Sequence, residues 1–224
     1  MSLPKRSGYT SRWDVCPDRG FSSGSVAAGQ LVAQGLQGLV ASRGIEVVGG
    51  WGRLVARDTV EVSGRRYRGR NIVLASGSLS KTMGQEISGP VMTSDQALEL
   101  DRVPASAVVL GGGVIGVELA SAWASMGSRV TIIEALPHLV PNEDEAISKQ
   151  LERAFRKRRI AFRTGTMFDS VERTAAGVRV RTADGRTYDA EVLLIAVGRG
   201  PATANLGYEE AGVAMDRGFV LTDG

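Results

Sequence analysis

Residues 107–134, AVVLGGGVIGVELASAWASMGSRVTIIE, constrain the chain more than any other stretch. An apolar run, Ala107 to Leu110, feeds Gly111-Gly112-Gly113-Val114-Ile115-Gly116. A helix-like segment follows, and then a second β-branched run, Val130-Thr131-Ile132-Ile133, ends on Glu134. Strand, glycines, helix, strand and acid in this order make a dinucleotide-binding fingerprint with its context intact, and the spacing has a physical reading. Gly111 makes the tight turn out of the strand, Gly113 lets a pyrophosphate approach the backbone, and Gly116 lets the helix pack closely on the sheet. The helix N-terminus offers unpaired N–H groups and its positive dipole end to the phosphates. Glu134 lies about 20 residues beyond the motif, where an acid accepts a hydrogen bond from a ribose 2′-OH and repels a 2′-phosphate. No Arg follows it in Ala135-Leu136-Pro137, so NAD is expected rather than NADP.

Composition narrows the class. Of 224 residues, 43% are hydrophobic and 23% charged, the balance of a soluble globular chain with material for a sizeable core. That length suits one or two domains. The net charge of +3 could suggest an anionic partner, but the basic residues crowd into Arg153, Arg156, Lys157, Arg158, Arg159 and Arg163. This run lies on and just after a predicted helix that also carries Glu145 and Glu152, so it reads as a solvated face and a helix C-terminus. No aromatics are interleaved as in an RNA-binding pattern, and no nucleic-acid partner is expected. A single cysteine, Cys16, excludes an intrachain disulfide and a cysteine metal site and points to a reducing compartment. No apolar run approaches membrane-spanning length and no secretory signal opens the chain, so the expected location is the cytoplasm, without a membrane partner.

Along the chain, residues 1–25 read as loop-like or disordered, with Trp13 and Cys16 isolated there. Val26–Arg43 has helical periodicity weakened by glycines. Ile45–Val48, Arg53–Ala56, Thr59–Val62 and Arg66–Arg68 read as short strands of a meander. Asn71–Ala75 reads as a buried strand ending in Ser76-Gly77-Ser78. Residues 79–104 form a connector with a short helix near Ser94–Leu100. After the fingerprint come a helix over Glu143–Lys157 and a strand over Ile160–Phe162. An antiparallel section follows, Met167–Thr174, Gly177–Thr182, an Asp184-Gly185 turn and Thr187-Tyr188, and then a closing strand, Glu191–Val197, that runs into Gly198-Arg199.

The ordered set NIVLASGS, GGGVIGVELASAW, RVTIIE, the ADG hairpin, and LLIAVGRGP followed by LGYEEAGVAMDRGFVLTD resembles the pyridine nucleotide-disulfide oxidoreductases, most closely the dihydrolipoyl dehydrogenase type. The similarity runs from about Gly35 to the C-terminus. It implies an α/β fold: a Rossmann-like, three-layer NAD-binding domain at 103–200, inserted in a partial FAD-binding domain with a β-meander at 26–102, to which 201–224 begins to return. By resemblance, Gly111, Gly112, Gly113, Val114, Ile115, Gly116, Val117 and Glu118 line the pyrophosphate and nicotinamide side. Glu134 holds the adenosine ribose, Phe168 lies near the adenine, and Gly198 lies beside the cofactor. Ser76, Gly77 and Ser78 match the family's flavin-contacting Thr-Gly-Ser, and Gly52 matches a glycine near the flavin adenine. Plainer roles stand beside these: strand termination for Ser76 and Ser78, core packing for Phe168, a solvated or interface acid for Glu118.

The departures matter as much. No flavin fingerprint precedes Gly111, Cys16 has no partner for the family's redox pair, and the second flavin motif expected after Asp223-Gly224 is absent. The dimerisation domain with its His-Glu pair is also absent, and His138, the only histidine, does not match it. The chain is therefore expected to be the middle of a longer enzyme, with a truncated or frame-disturbed product and a misplaced start both left open. The expected activity is oxidation of dihydrolipoyl groups on a carrier protein, coupled through FAD to reduction of NAD. The alternative is a catalytically inactive NAD-binding fragment. Expected partners are NAD(H) and a second copy or a complementary chain. No metal and no catalytic residue are assigned.

Overall fold

The computed structural model describes residues 22–223. The chain divides into two compact units. The first is represented among the described residues by 22–45 with Leu100–Arg102, and the second comprises Glu46–Glu99 and Val103–Gly224. The first unit contains helix α1, Ser22–Ser42, which begins four residues earlier than its periodicity suggests. It stops where Gly44 takes a positive φ of 65°, a conformation glycine adopts without steric penalty. The expected loop-like stretch 1–25 lies almost wholly outside the described residues.

The second unit opens with a meander, β1 (Gly52–Ala56), β2 (Thr59–Val62) and β3 (Arg65–Arg68), paired antiparallel in that order. Ser63 and Gly64, both at positive φ, make the two-residue turn between β2 and β3 that matches strand twist. Two expected strands are absent. Ile45–Val48 is irregular, and Asn71–Ala75 has no regular secondary structure and pairs with no strand among the described residues. The second is not buried either: Ile72 and Leu74 pack against Leu54, Leu206 and Tyr208, whereas Val73 is 87% exposed. The physical reason is that β-branched composition favours a strand only where a neighbour supplies the ladder.

The chain then forms β4 (Ser78–Ser80), β5 (Val91–Thr93) and a one-turn helix α2 (Ser94–Ala97). Helix α2 starts on a capping box between Thr93 and Gln96. The fingerprint folds as β6 (Ser106–Leu110), α3 (Val114–Ser125) and β7 (Arg129–Ile133), followed by α4 (Glu145–Lys157) and β8 (Ala161–Arg163). An antiparallel sheet comes next, β9 (Phe168–Thr174), β10 (Gly177–Thr182) and β11 (Thr187–Ala190). The chain ends with β12 (Val192–Ile195), β13 (Arg199–Pro201), β14 (Met215–Asp216) and β15 (Phe219–Val220).

The centre is a five-stranded parallel sheet in the order β5-β12-β6-β7-β8, with Ala107 opposite both Val192 and Val130. Its edge strand β5 comes from the stretch read as a connector. Both faces are covered, so the central strands β6 and β12 are almost wholly buried and apolar, whereas edge strand β8 has exposed ends at Ala161 and Arg163. On one face Val108, Leu110, Ile133, Leu193 and Ile195 meet Val178, Val180 and Ala190 of the antiparallel sheet. Helix α3 packs on β6 and β7 at the other face. This is the expected three-layer α/β arrangement.

The basic run does more than face solvent. Arg158, at the C-cap of α4, donates to the Ser121 carbonyl and to the hydroxyls of Ser121 and Ser125, tying α4 to α3. Arg156 pairs with Glu152 and lies over the Phe162 ring.

Across β10 and β11, Arg179 donates to both carboxylate oxygens of Asp189, at 2.8 and 3.3 Å. This hydrogen bonding, with the guanidinium charge, holds the Asp189 carboxyl below its ordinary range. The Thr182 hydroxyl is the chief cause of the same shift at Asp184. A lowered native pKa means stability that is complete above the unfolded-state value and is lost as pH falls through the native one. Melting temperatures taken at neutral pH and below the ordinary aspartate range should therefore differ less in Asp189→Asn than in the parent. The pair is exposed, so the difference is small.

Candidate functional site

The glycine turn is explained position by position. Gly111 has φ +99°, its N–H donates to the Ile133 carbonyl at 2.8 Å, and a Cβ there would overlap the Ala196 carbonyl. A Cβ on Gly116 would overlap the carbonyl oxygen of Gly111, and one on Gly112 would lie 2.5 Å from Leu139 Cδ2. These three positions lack side chains because the protein itself fills the space. Gly113 differs: no atom lies within 4 Å of the place a Cβ would take. Its φ of −71° demands no glycine either. The open space over Gly113 is a cradle that the fold leaves unused. Gly113 is also the N-cap of α3, so the amides of Val114 and Ile115 sit in the first turn, where no intrahelical acceptor exists.

Glu134 ends β7 beside this turn. It is 7% exposed, and its two carboxylate oxygens accept the N–H of Gly112 at 2.5 Å and of Leu136 at 2.7 Å. The ends of β6, β7 and β12 surround a cleft of about 550 Å³. It opens at the C-terminal edge of the parallel sheet, where open α/β sheets bind ligands. Leu110, Ile133 and Val197 supply apolar lining.

Of the positions picked from sequence, Gly111, Gly113, Val114, Ile115, Glu134, Phe168 and Gly198 line this cleft together. Gly198 has φ +102° and open space over it, like Gly113. Phe168 both lines the cleft and packs against the core cluster between the two sheets. Gly112, Gly116 and Val117 are buried outside the lining, and Glu118 is exposed on α3 and not part of it. Gly52, Ser76, Gly77 and Ser78 line no part of the cleft. Gly52 opens β1 with Val60 and Val62 over it. The hydroxyl and carbonyl oxygens of Ser78 both accept from the Arg199 guanidinium, each at 2.7 Å.

Sequence reading did not single out Met83, Leu136, Asn142, Thr166, Met167 or Arg199, all of which line the cleft. Asn142 and Met167 carry no motif signal. Arg199 could have been found, because it follows Gly198 at the end of the closing strand. Beyond its bonds to Ser78 it donates to the Ser80 hydroxyl at 2.9 Å and lies 3.7 Å from Asp95. A ring nitrogen of His138 contacts the Leu139 carbonyl and its ring interacts electrostatically with Glu145, and Cys16 lies outside the described residues. Among the described residues no cluster of His, Cys, Asp or Glu could hold a metal, and no helix is long and apolar enough to cross a membrane.

With this geometry in hand, comparison with known proteins is specific. The family model "Pyridine nucleotide-disulphide oxidoreductase" matches residues 11–224. The dihydrolipoamide dehydrogenase of Chaetomium thermophilum is 36% identical over 206 residues, covering 86% of this chain and 41% of that protein. The dihydrolipoyl dehydrogenase of Chlorobaculum tepidum is 37% identical over 203 residues, covering 86% of this chain and 43% of that one. Among solved structures, LpdA from Mycobacterium tuberculosis superposes with a TM-score of 0.75 at 28% identity, covering 87% of this chain and 45% of its own. The HOCl-induced flavoprotein disulfide reductase RclA from Escherichia coli gives 0.73 at 30% identity, covering 80% and 42%. The chain thus spans about two-fifths of the length of the curated relatives it matches. Glycine turn, buried acid, parallel sheet and family match agree: the chain belongs to the pyridine nucleotide-disulphide oxidoreductase family.

Proposed function

We propose that the chain binds NAD(H) in the glycine cleft and forms the nucleotide-binding portion of a flavin-dependent oxidoreductase of the dihydrolipoyl dehydrogenase type. The observation that carries this reading is the open space over Gly113 at the first turn of α3, beside the carboxylate of Glu134. The amides of Val114 and Ile115 and the helix dipole face a pyrophosphate there. Glu134 accepts from a ribose hydroxyl with the lone pairs its two amide partners leave free. Leu110, Ile133 and Val197 keep water from the base and nicotinamide. NAD, when bound, supplies hydride transfer at its nicotinamide ring. In this reading 103–200 is the nucleotide domain, while 26–102 and 201–224 belong to the flavin domain. Gly52 and Ser76–Ser78 would then face FAD, the reductant would be a dihydrolipoyl group on a carrier protein, and the enzyme would work as a homodimer or with a complementary chain.

The second reading is an NAD-binding chain without turnover. It is favoured by Cys16 being the sole cysteine, because disulfide exchange needs a thiolate and a disulfide partner. A visible spectrum of the purified protein separates the two. Stoichiometric flavin absorbance supports the enzyme, and a colourless protein supports the binding module. Calorimetric titration tests the shared part. NADH is expected to bind at micromolar to millimolar strength and NADPH about tenfold more weakly or worse, a gap of about 1.4 kcal/mol. Equal affinities would overturn the role of Glu134 at the ribose.

A further inference from the structure

The middle glycine of the fingerprint is fully engaged inside the protein. The N–H of Gly112 donates to Glu134 Oε2 at 2.5 Å, and its carbonyl accepts the N–H of Val140 at 2.7 Å. Leu139, fully buried, fills the place a Cβ would take. Val140 sits at φ +45°, a left-handed conformation that β-branched residues rarely adopt. Its carbonyl accepts from the Glu143 amide, at 2.9 Å, and from the Ser148 hydroxyl. Backbone strain of this kind persists only where surrounding contacts over-determine it. Those contacts here are the glycine turn on one side and the start of α4 on the other.

We propose that Glu134 is a positioning residue of the glycine turn as well as the acceptor for a ribose. Its carboxylate grips Gly112 and Leu136 by their amides, and the Leu139-Val140 segment grips Gly112 from the carbonyl side. Together they hold the turn in its phosphate-binding shape before any nucleotide arrives. The ribose half of this statement rests on the NAD reading, whereas the turn half does not. One consequence concerns cofactor preference. Reversing the charge at Glu134 removes the support of the turn along with the barrier to a 2′-phosphate, so it destroys the site rather than converting it to NADPH.

Glu134→Gln is the test, made in the full chain. A glutamine keeps the size but turns an NH₂ donor toward one of two N–H donors, leaving a buried clash of like groups. Without nucleotide, the melting temperature should fall by about 5 °C. In ¹H–¹⁵N spectra the Gly112 amide proton should move upfield as its charged acceptor is lost, while amides of β9–β11 stay in place. NADH affinity should fall by about tenfold or more. If NADH binding weakens but the Gly112 resonance and the melting temperature do not change, Glu134 serves the ribose alone and the proposal is wrong. If the parent binds no NADH yet the resonance and melting temperature respond, the NAD reading fails and the turn support stands. Should the Gln variant not fold, Glu134→Asp decides by the same spectra. Its shorter arm cannot reach both amides, so either Gly112 or Leu136 must shift, and neither shifting overturns the proposal.

Discussion

Gly113→Leu should lose NADH binding by about a hundredfold or more while the protein stays folded. Beyond the neighbouring residues of the chain, no atom lies within 4 Å of the place where the new Cβ would sit, and the side chain extends from there into the cleft that Gly113 lines. The φ of Gly113 is −71° with an extended ψ, which leucine adopts without strain. Gly113 is the N-cap of α3 and makes no side-chain cap bond, so the exchange costs about 1 kcal/mol at most. That corresponds to about 3 °C in melting temperature for a chain of this size. The isobutyl group occupies the space through which a pyrophosphate reaches the Val114 and Ile115 amides. Titration of NADH into the variant, alongside a thermal melt, reads both effects. Parent-like binding in a folded variant would show that the nucleotide lies elsewhere.

Gly116→Ala should do the reverse, destabilising the fold while leaving the space over Gly113 open. The single added carbon overlaps the carbonyl oxygen of Gly111 and stands 3.4 Å from Val109 Cγ1. Neither obstacle can swing aside. Gly111 is pinned by its hydrogen bond to Ile133, and Val109 is fully buried in β6. Helix α3 must therefore lift off β6 and β7, at a cost of about 3 kcal/mol. Circular-dichroism melts should show a fall of about 10 °C. An unchanged melting temperature would mean that α3 stands further from the sheet than the structure places it. The two glycines are three residues apart in one motif, yet one serves a ligand and the other serves the protein.

That division was only partly legible in the sequence. Strand β6, α3 and β7 could be read because glycine spacing, β-branched runs and the terminal acid all bear on one local unit. Gly111, Gly113, Glu134 and Gly198 could be placed at one cleft for the same reason. The role of Gly112 could not, since its contacts are with Glu134, Leu139 and Val140, more than twenty residues away. Asn142 and Met83 were hidden likewise, brought to the cleft by separate loops. The strand expected at Asn71–Ala75 shows the opposite limit. Its residues have the composition of a strand, but pairing is a property of two segments, and no second one lies beside it among the described residues. Strand β5 was missed because three residues, Val91–Thr93, carry too little periodicity to stand out from a connector.

Arg199 has a mechanical meaning as well as a chemical one. The chain crosses the C-terminal edge of the parallel sheet at two places that pair as β4 and β13, one ending near Lys81 and the other starting after Gly198. One guanidinium spans both, bonded to Ser78 and Ser80 on the first while belonging to the second, and it also forms part of the cleft wall. The two crossings are therefore fastened by one guanidinium as well as by their backbone pairing. The cleft rim at Gly198 is thereby joined to Ser78 by hydrogen bonds of the next residue, Arg199, that bypass the core.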